Sequence, residues 1–178
     1  MESQTTHLIK RGKKLSYLLR HDKSYNFDEH GWREVSNLVA NHSFTMEELL
    51  KIVATDNKQR YEFSEDMNYI RARQGHSVNV DVELAETVPP EWLYHGTPKD
   101  NLSSIMDIGI CKMNRNHVHL SETIETASNV GARRGKDFVV LSVKAKQMHE
   151  DGFVFYLSRN QVWLTEHVPA KYLVTITQ

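Results

Sequence analysis

An arginine beside a histidine, Arg20-His21, closes a basic and otherwise apolar segment near the start of this 178-residue chain. Two histidine-bearing motifs, Tyr94-His95-Gly96-Thr97 and His117-Val118-His119-Leu120-Ser121, stand far downstream. A guanidinium is always charged and its fork matches phosphate oxygens, while a neighbouring imidazole can donate a proton near neutral pH. A phosphomonoester carries about −1.5 to −2 charges at pH 7, so it calls for more than one cation. The downstream motifs suit a different ligand. Gly96 lets a planar group approach the backbone, whose N–H and C=O can pair with an amide such as nicotinamide, and His95 and Thr97 are within reach of ribose hydroxyls. His119 and Ser121 add a second polar pair around a leucine. Gly131-Ala132-Arg133-Arg134-Gly135 sets two arginines between glycines, as a phosphate-binding turn would. Together these features suggest chemistry between a phosphorylated substrate and a dinucleotide. Plainer readings stand beside them: taken alone, Arg20-His21 fits a helix end better than a ligand site, and His95-Gly96-Thr97 also suits a strand-to-turn junction.

The elements that must position these residues are legible in the hydrophobic periodicity. Leu8, Leu15, Leu18 and Leu19 recur at helical spacing and predict an amphipathic helix over 5–21, with five basic residues and no acid between Lys10 and Arg20. Such a stripe, Lys14 included, serves a polyanion or simply forms a solvated face. Val35, Leu38 and Val39 predict a second helix. Thr45 with Glu48 reads as a capping box opening a third through Leu49, Leu50, Ile52 and Val53. Alternation then replaces the helical period: residues 60–63 and 69–73 flank a polar turn and read as a hairpin. Arg71 and Arg73 are two apart, so they share one face of that ribbon, which is expected to be strongly basic or to be an edge strand protected by charge. Gln74-Gly75-His76-Ser77 forms a polar turn that either touches RNA or closes the lobe. Helices followed by a ribbon make a winged-helix-like module.

Val88-Pro89-Pro90 is the expected boundary, giving lobes of 1–88 and 89–178, because adjacent prolines continue neither a helix nor a central strand. Strand signals at 93–94, 118–120, 138–143, 154–156, 162–164 and 173–176, with helical stretches near 99–108, 122–130 and 144–150, make the second lobe α+β with a strand-rich core.

The composition, 39% hydrophobic and 25% charged with a net charge of −1, is that of a globular protein and does not demand nucleic acid. No apolar run approaches the roughly 20 residues needed to span a bilayer, and a cytoplasmic monomer is expected. The single cysteine, Cys111, excludes an internal disulfide and is expected to be a buried spectator. There is no Walker A sequence, no Gly-x-Gly-x-x-Gly, no zinc-type cysteine set and no His-Glu-x-x-His, so no metal site is expected and a dinucleotide would bind outside the common Rossmann mode.

Taken in order, several segments resemble the RNA (tRNA) 2′-phosphotransferase family of the KptA type. They are Leu15-Ser16-Tyr17-Leu18-Leu19-Arg20-His21, Gly31-Trp32, Asn57-Lys58-Gln59-Arg60-Tyr61, Gln74-Gly75-His76-Ser77, Pro89-Pro90-Glu91-Trp92-Leu93-Tyr94-His95-Gly96-Thr97, His117-Val118-His119-Leu120-Ser121, Gly131-Ala132-Arg133 and Val162-Trp163-Leu164-Thr165. The resemblance implies an N-terminal winged-helix RNA lobe and a C-terminal lobe of the ADP-ribosyltransferase fold that holds NAD as a consumed co-substrate. It implies removal of an internal RNA 2′-phosphate in two steps, ADP-ribosylation of the phosphate and then transesterification. The products would be 2′-OH RNA, ADP-ribose 1″,2″-cyclic phosphate and nicotinamide. The family's essential arginines and histidine correspond to Arg20, His21, Arg60 and Arg133, and its NAD contacts to His95, Gly96, Thr97, His119 and Ser121. RNA contacts are expected from Lys14, Arg71, Arg73 and His76. Two positions depart from the family pattern: Arg73 stands where a neutral residue is usual, and Gln161 replaces the usual glycine before Val162. Competing expectations are a transferase that stops after the first step and a non-catalytic RNA-binding module.

Overall fold

The computed structural model describes residues 4–176. Its elements in chain order are α1 (Gln4–Arg20), β1 (Arg33–Glu34), α2 (Val35–His42), α3 (Met46–Thr55), β2 (Tyr61–Phe63), β3 (Tyr69–Ala72), β4 (Ala85–Glu86), β5 (Leu93–Pro98), α4 (Leu102–Ile108), β6 (Ile110–Cys111), β7 (Val118–Leu120), α5 (Ile124–Gly131), β8 (Phe138–Val143), α6 (Ala145–Glu150), β9 (Tyr156–Leu157), β10 (Trp163–Thr165), β11 (His167–Val168) and β12 (Leu173–Ile176). This mixture of helix and antiparallel sheet places the chain in the α+β class.

The chain divides into two compact units, Met1–Glu83 and Leu84–Gln178. The division falls before the Pro89-Pro90 pair that marked the expected boundary. The reason is β4: Ala85 and Glu86 pair with Leu157 and Tyr156, so the chain joins the second unit's sheet before it reaches the prolines.

In the first unit, the leucine stripe of α1 buries Leu15, Leu18 and Leu19 against Leu38, Phe44, Leu49 and Ile70. The Thr45 capping box forms as expected: the Thr45 hydroxyl accepts from the Glu48 amide, and the Glu48 carboxylate accepts from the Thr45 amide, each at 3.1 Å. The hairpin gains a third strand. β1 pairs with β3 (Arg33 opposite Ile70, Glu34 opposite Tyr69), giving the order β1-β3-β2. A two-residue strand is too short to show alternation, which is why the sequence suggested a two-stranded ribbon.

The second unit is built on two main antiparallel sheets, β4-β9-β10-β7 and β12-β8-β5, and the small pair β11-β6. The first two are joined through Tyr94 and Ser121, whose amides and carbonyls exchange two hydrogen bonds of 2.8 Å. Leu93, Leu120, Leu141, Val143, Phe155 and Trp163 lie in its core. Helix α5 packs very closely on β5, and glycines permit it. A Cβ on Gly96 would fall on the Ala127 carbonyl and lie 2.8 Å from the Gly131 nitrogen, and one on Gly131 would lie 2.7 Å from the Phe138 ring. Among the described residues no helix is long and apolar enough to cross a membrane.

Candidate functional site

In the first unit, the segment 74–78 folds over the end of α1. The amides of Ser77 and Val78 donate to the Arg20 carbonyl at 2.9 and 3.3 Å, satisfying an acceptor that a helix end otherwise leaves open. The same turn brings Ser77 Oγ to 2.9 Å from His21 Nδ1, an arrangement that fixes the ring's orientation. Arg20 donates through Nη1 to Ser16 Oγ at 3.1 Å, and its guanidinium lies 5.8 Å from the centre of the Tyr61 ring. Tyr61 directly follows Arg60, so α1 ends against the start of β2. Asp56 holds Arg60 in place: one carboxylate oxygen accepts from Nη1 and the other from the Arg60 amide, both at 2.6 Å. A third of the Arg60 side chain remains exposed (33%).

Of the residues expected to contact RNA, Arg71 and His76 are interior, Arg73 is part-buried and Lys14 is exposed. Arg71 is only 3% exposed; its Nε donates to Glu62 at 2.7 Å, its Nη1 to Glu83 at 3.0 Å, and its guanidinium stacks 4.4 Å from the Trp32 ring. Arg73 shares Glu62, at 3.2 Å. The expected strongly basic face is therefore neutralised from within, by a carboxylate on the neighbouring strand. His76 is also interior, 2% exposed, with no hydrogen-bond partner for Nε2 among the described residues. Burial first, then the positive charges of Arg20, His21 and Arg71, push its imidazole down to about 3, so it is neutral at ordinary pH. Lys14 is exposed and donates to the His42 carbonyl at 3.0 Å, at the end of α2.

The second unit holds a cavity of about 610 Å³, within the usual range of small-molecule sites, lined in part by His95, Gly96, Thr97, His119 and Arg133. Ser121 is not in its wall; its backbone is spent on Tyr94. His95 Nδ1 lies 3.1 Å from the His119 carbonyl, a contact that makes Nδ1 the donor and leaves Nε2 an acceptor. Burial lowers the His95 imidazole from its ordinary value and the charge of Arg115 adds to that, against the opposing pull of the His119 carbonyl. A neutral His95 follows. Thr97 is 3% exposed and accepts from the Asn101 amide at 3.2 Å, which anchors the turn into α4. β5 is the edge strand of its sheet, bridged on its outer side at Tyr94, so past that bridge it offers main-chain groups to a ligand. Gly96 turns its missing side chain towards α5, so its lack of a Cβ serves helix packing, whatever ligand its backbone meets. Cys111 is exposed and lines the cavity, contrary to the expectation of a buried spectator, because β6 is a two-residue strand in a pair at the unit's surface. Among the described residues no group of histidine, cysteine and carboxylate side chains is arranged to hold a metal.

Sequence reasoning overlooked Arg33, the largest fully buried side chain of the first unit. It donates to the Leu18 carbonyl, Asp22, Asn37 and His42 and stacks 4.1 Å from the Tyr25 ring. A lone arginine in a two-residue strand carries no periodic signal, and only the partners that converge on it, Asp22, Asn37, His42 and the Leu18 carbonyl, reveal its place.

Residues 6–167 match the family model described as RNA 2′-phosphotransferase, Tpt1/KptA family. The chain is similar to a probable RNA 2′-phosphotransferase of Nostoc punctiforme, 46% identical over 177 residues that cover 95% of this chain and 97% of that one. A probable RNA 2′-phosphotransferase of Streptomyces coelicolor is 47% identical over 178 residues (96% of each chain), and one of Fusobacterium nucleatum 43% over 173 residues (93% and 97%).

Proposed function

The chain belongs to the RNA 2′-phosphotransferase family, and from that premise we propose that it removes an internal RNA 2′-phosphate at the expense of NAD. The reading includes two steps, ADP-ribosylation of the RNA phosphate and then transesterification, releasing 2′-OH RNA, nicotinamide and ADP-ribose 1″,2″-cyclic phosphate. The first unit, three helices and a small antiparallel sheet, is taken as a winged-helix lobe for RNA. The second is taken as an ADP-ribosyltransferase-like lobe for NAD.

One observation carries the reading: within the family match, Arg20 at the end of α1 lies 5.8 Å from the ring of Tyr61, the residue that follows Arg60, while Ser77 orients the neighbouring His21 and Asp56 holds Arg60. Two arginines and a histidine carried by the end of α1 and the start of β2 suit a phosphate. Arg20 and Arg60 would stabilise charge developing on the transferred group, and loss of one such contact typically lowers a rate by about 10²–10³. His21, its ring oriented by Ser77, would protonate the RNA oxygen that leaves.

The second unit's residues fit NAD. Past the Tyr94 bridge, the edge of β5 has main-chain groups that match a carboxamide. A neutral His95 and the rim of His119 suit ribose hydroxyls, and Arg115 and Arg133 supply the cations a pyrophosphate needs. When bound, NAD would supply an activated ribose carbon; the protein's part is to hold it, orient it and exclude water.

The test is incubation with a short RNA bearing one internal 2′-phosphate, with and without NAD. NAD-dependent loss of the phosphate with release of ADP-ribose cyclic phosphate is the expected outcome. Accumulation of ADP-ribosylated RNA would replace the reading with a one-step transferase. Bound but unaltered RNA would replace it with a binding module.

A further inference from the structure

The first unit also carries a groove of about 770 Å³ between α1 and α3, most of which extends beyond the residues assigned to the phosphate. Its floor is apolar and Ile9, on its lip, is 56% exposed. Lys13 and Lys51 flank it, and Ser16, Arg60 and Tyr61 line it as well. Ser16 and Tyr61 also contact Arg20, so the groove is continuous with the candidate phosphate site. Its charge suits an anion: Lys13, Lys51 and Arg60 stand against a single acid, Asp56, which Arg60 already occupies.

Gly12 supplies an independent argument. It lies in the middle of α1, where glycine is the least favourable residue after proline. Among the described residues no close approach requires it there: a Cβ would meet its nearest neighbour, Ile52 Cγ2, at an ordinary 3.8 Å. Both residues line the groove, so a side chain at this position would take up groove volume. The ridge of α1 leads the same way. Ile9, Lys13, Tyr17 and His21 are each four residues apart, hence on one face, and Tyr17 is 57% exposed with its ring 6.1 Å from that of His21.

The geometry points to a second RNA subsite, in which the groove takes the single strand leading away from the phosphorylated nucleotide. A base lies on the apolar floor or on Tyr17, and backbone phosphates meet Lys13 and Lys51. This rests on the RNA reading above. Stacking and charge of this kind are sequence-tolerant, so the subsite selects substrates by length and single-strandedness, not by base.

The test compares two substrates with the same phosphorylated nucleotide, a dinucleotide and a single-stranded 12-mer, on the wild-type protein, Gly12→Leu and the double variant Lys13→Glu/Lys51→Glu. Both variants should lower kcat/KM on the 12-mer by about tenfold or more, through KM, and leave the dinucleotide unchanged. With both lysines reversed, the salt dependence of log kcat/KM on the 12-mer should be shallower by about 1.4, the share of two released counterions. Gly12→Leu should also melt at a temperature no lower than the wild type, because leucine favours the helix. Should that variant fail to fold, the lysine variant carries the test. Equal losses on both substrates, or none on the 12-mer, would overturn the subsite. If the wild type turns over neither substrate, the activity reading fails by itself. The subsite then stands or falls on anisotropy with an unphosphorylated 12-mer, and equal affinity of wild type and variants overturns it.

Discussion

Two regions of the first unit use the same side chain to opposite ends. In the interior, Arg33 and Arg71 are 2% and 3% exposed and enclosed by acceptors: Asp22, Asn37 and a carbonyl for one, Glu62 and Glu83 for the other. At the end of α1 and the start of β2, Arg20 and Arg60 remain partly accessible; Arg20 donates to Ser16 and Arg60 to Asp56. What separates the regions is enclosure: several acceptors and an aromatic ring close the interior guanidiniums off from solvent, whereas Arg60, though held by Asp56, keeps a third of its side chain exposed. Asp22 shows how firm the interior commitment is. Burial alone would push its carboxyl up, yet the hydrogen bonds from Ser24 and Arg33 together hold it below the ordinary carboxylate value.

The sharpest way to break this comparison is to remove one arginine from each region. Arg33→Leu strands a buried carboxylate and should cost about 3–5 kcal/mol of stability, read by urea denaturation. Arg20→Ala should lower turnover of 2′-phosphorylated RNA by about 10²–10³ while stability changes by less than about 1 kcal/mol. If the Arg20 variant unfolds as readily as the Arg33 variant, the two regions do not differ in kind.

A second test uses pH. His76 has a folded-state value of about 3 against 6.5 for the free side chain, so between those values the unfolded chain binds a proton that the folded chain refuses. Its contribution is fully present above pH 6.5 and is lost as the pH falls towards 3, at about 1.4 kcal/mol per pH unit. His76→Leu should flatten that limb of the stability curve; an unchanged slope would show that other groups set it.

Smaller effects refine the picture. Arg73→Ala should cost less than about 1 kcal/mol, because Glu62 keeps Arg71, and it should leave RNA turnover unchanged. A clear loss of RNA affinity would return Arg73 to the substrate. Gln161→Gly should stabilise by about 0.5–1 kcal/mol with no effect on either substrate, since Gln161 holds a left-handed φ of 60° in the turn after Ser158. A melting temperature that does not rise would mean the turn relaxes around the glutamine.

The sequence was most legible where contacts are local. The leucine repeat of α1, the Thr45 capping box and the alternation of β2 and β3 all concern residues a few positions apart, and all appear as expected. It was least legible where a side chain's meaning depends on a distant partner. Arg71 looked basic because Glu62 lies on another strand, and β1 was invisible because its two residues pair only in space. Gly96 looked like an opening for a ligand until helix α5, about thirty residues on, occupied the side where its Cβ would lie. Within the candidate site, the residue types were readable and their supports, Ser16, Ser77 and Asp56, were not.

The glycines at 96 and 131 also constrain how the second unit can diverge. They form a notch in which α5 seats on β5 at one rotation and one height, and Arg133 emerges two residues past the second glycine. Deleting or inserting one residue within 124–132 would turn the downstream chain by about 100° and shift it by about 1.5 Å. Substitutions in the cavity wall can therefore accumulate one at a time, whereas changes of length in α5 must arrive in compensating pairs or lose the notch altogether.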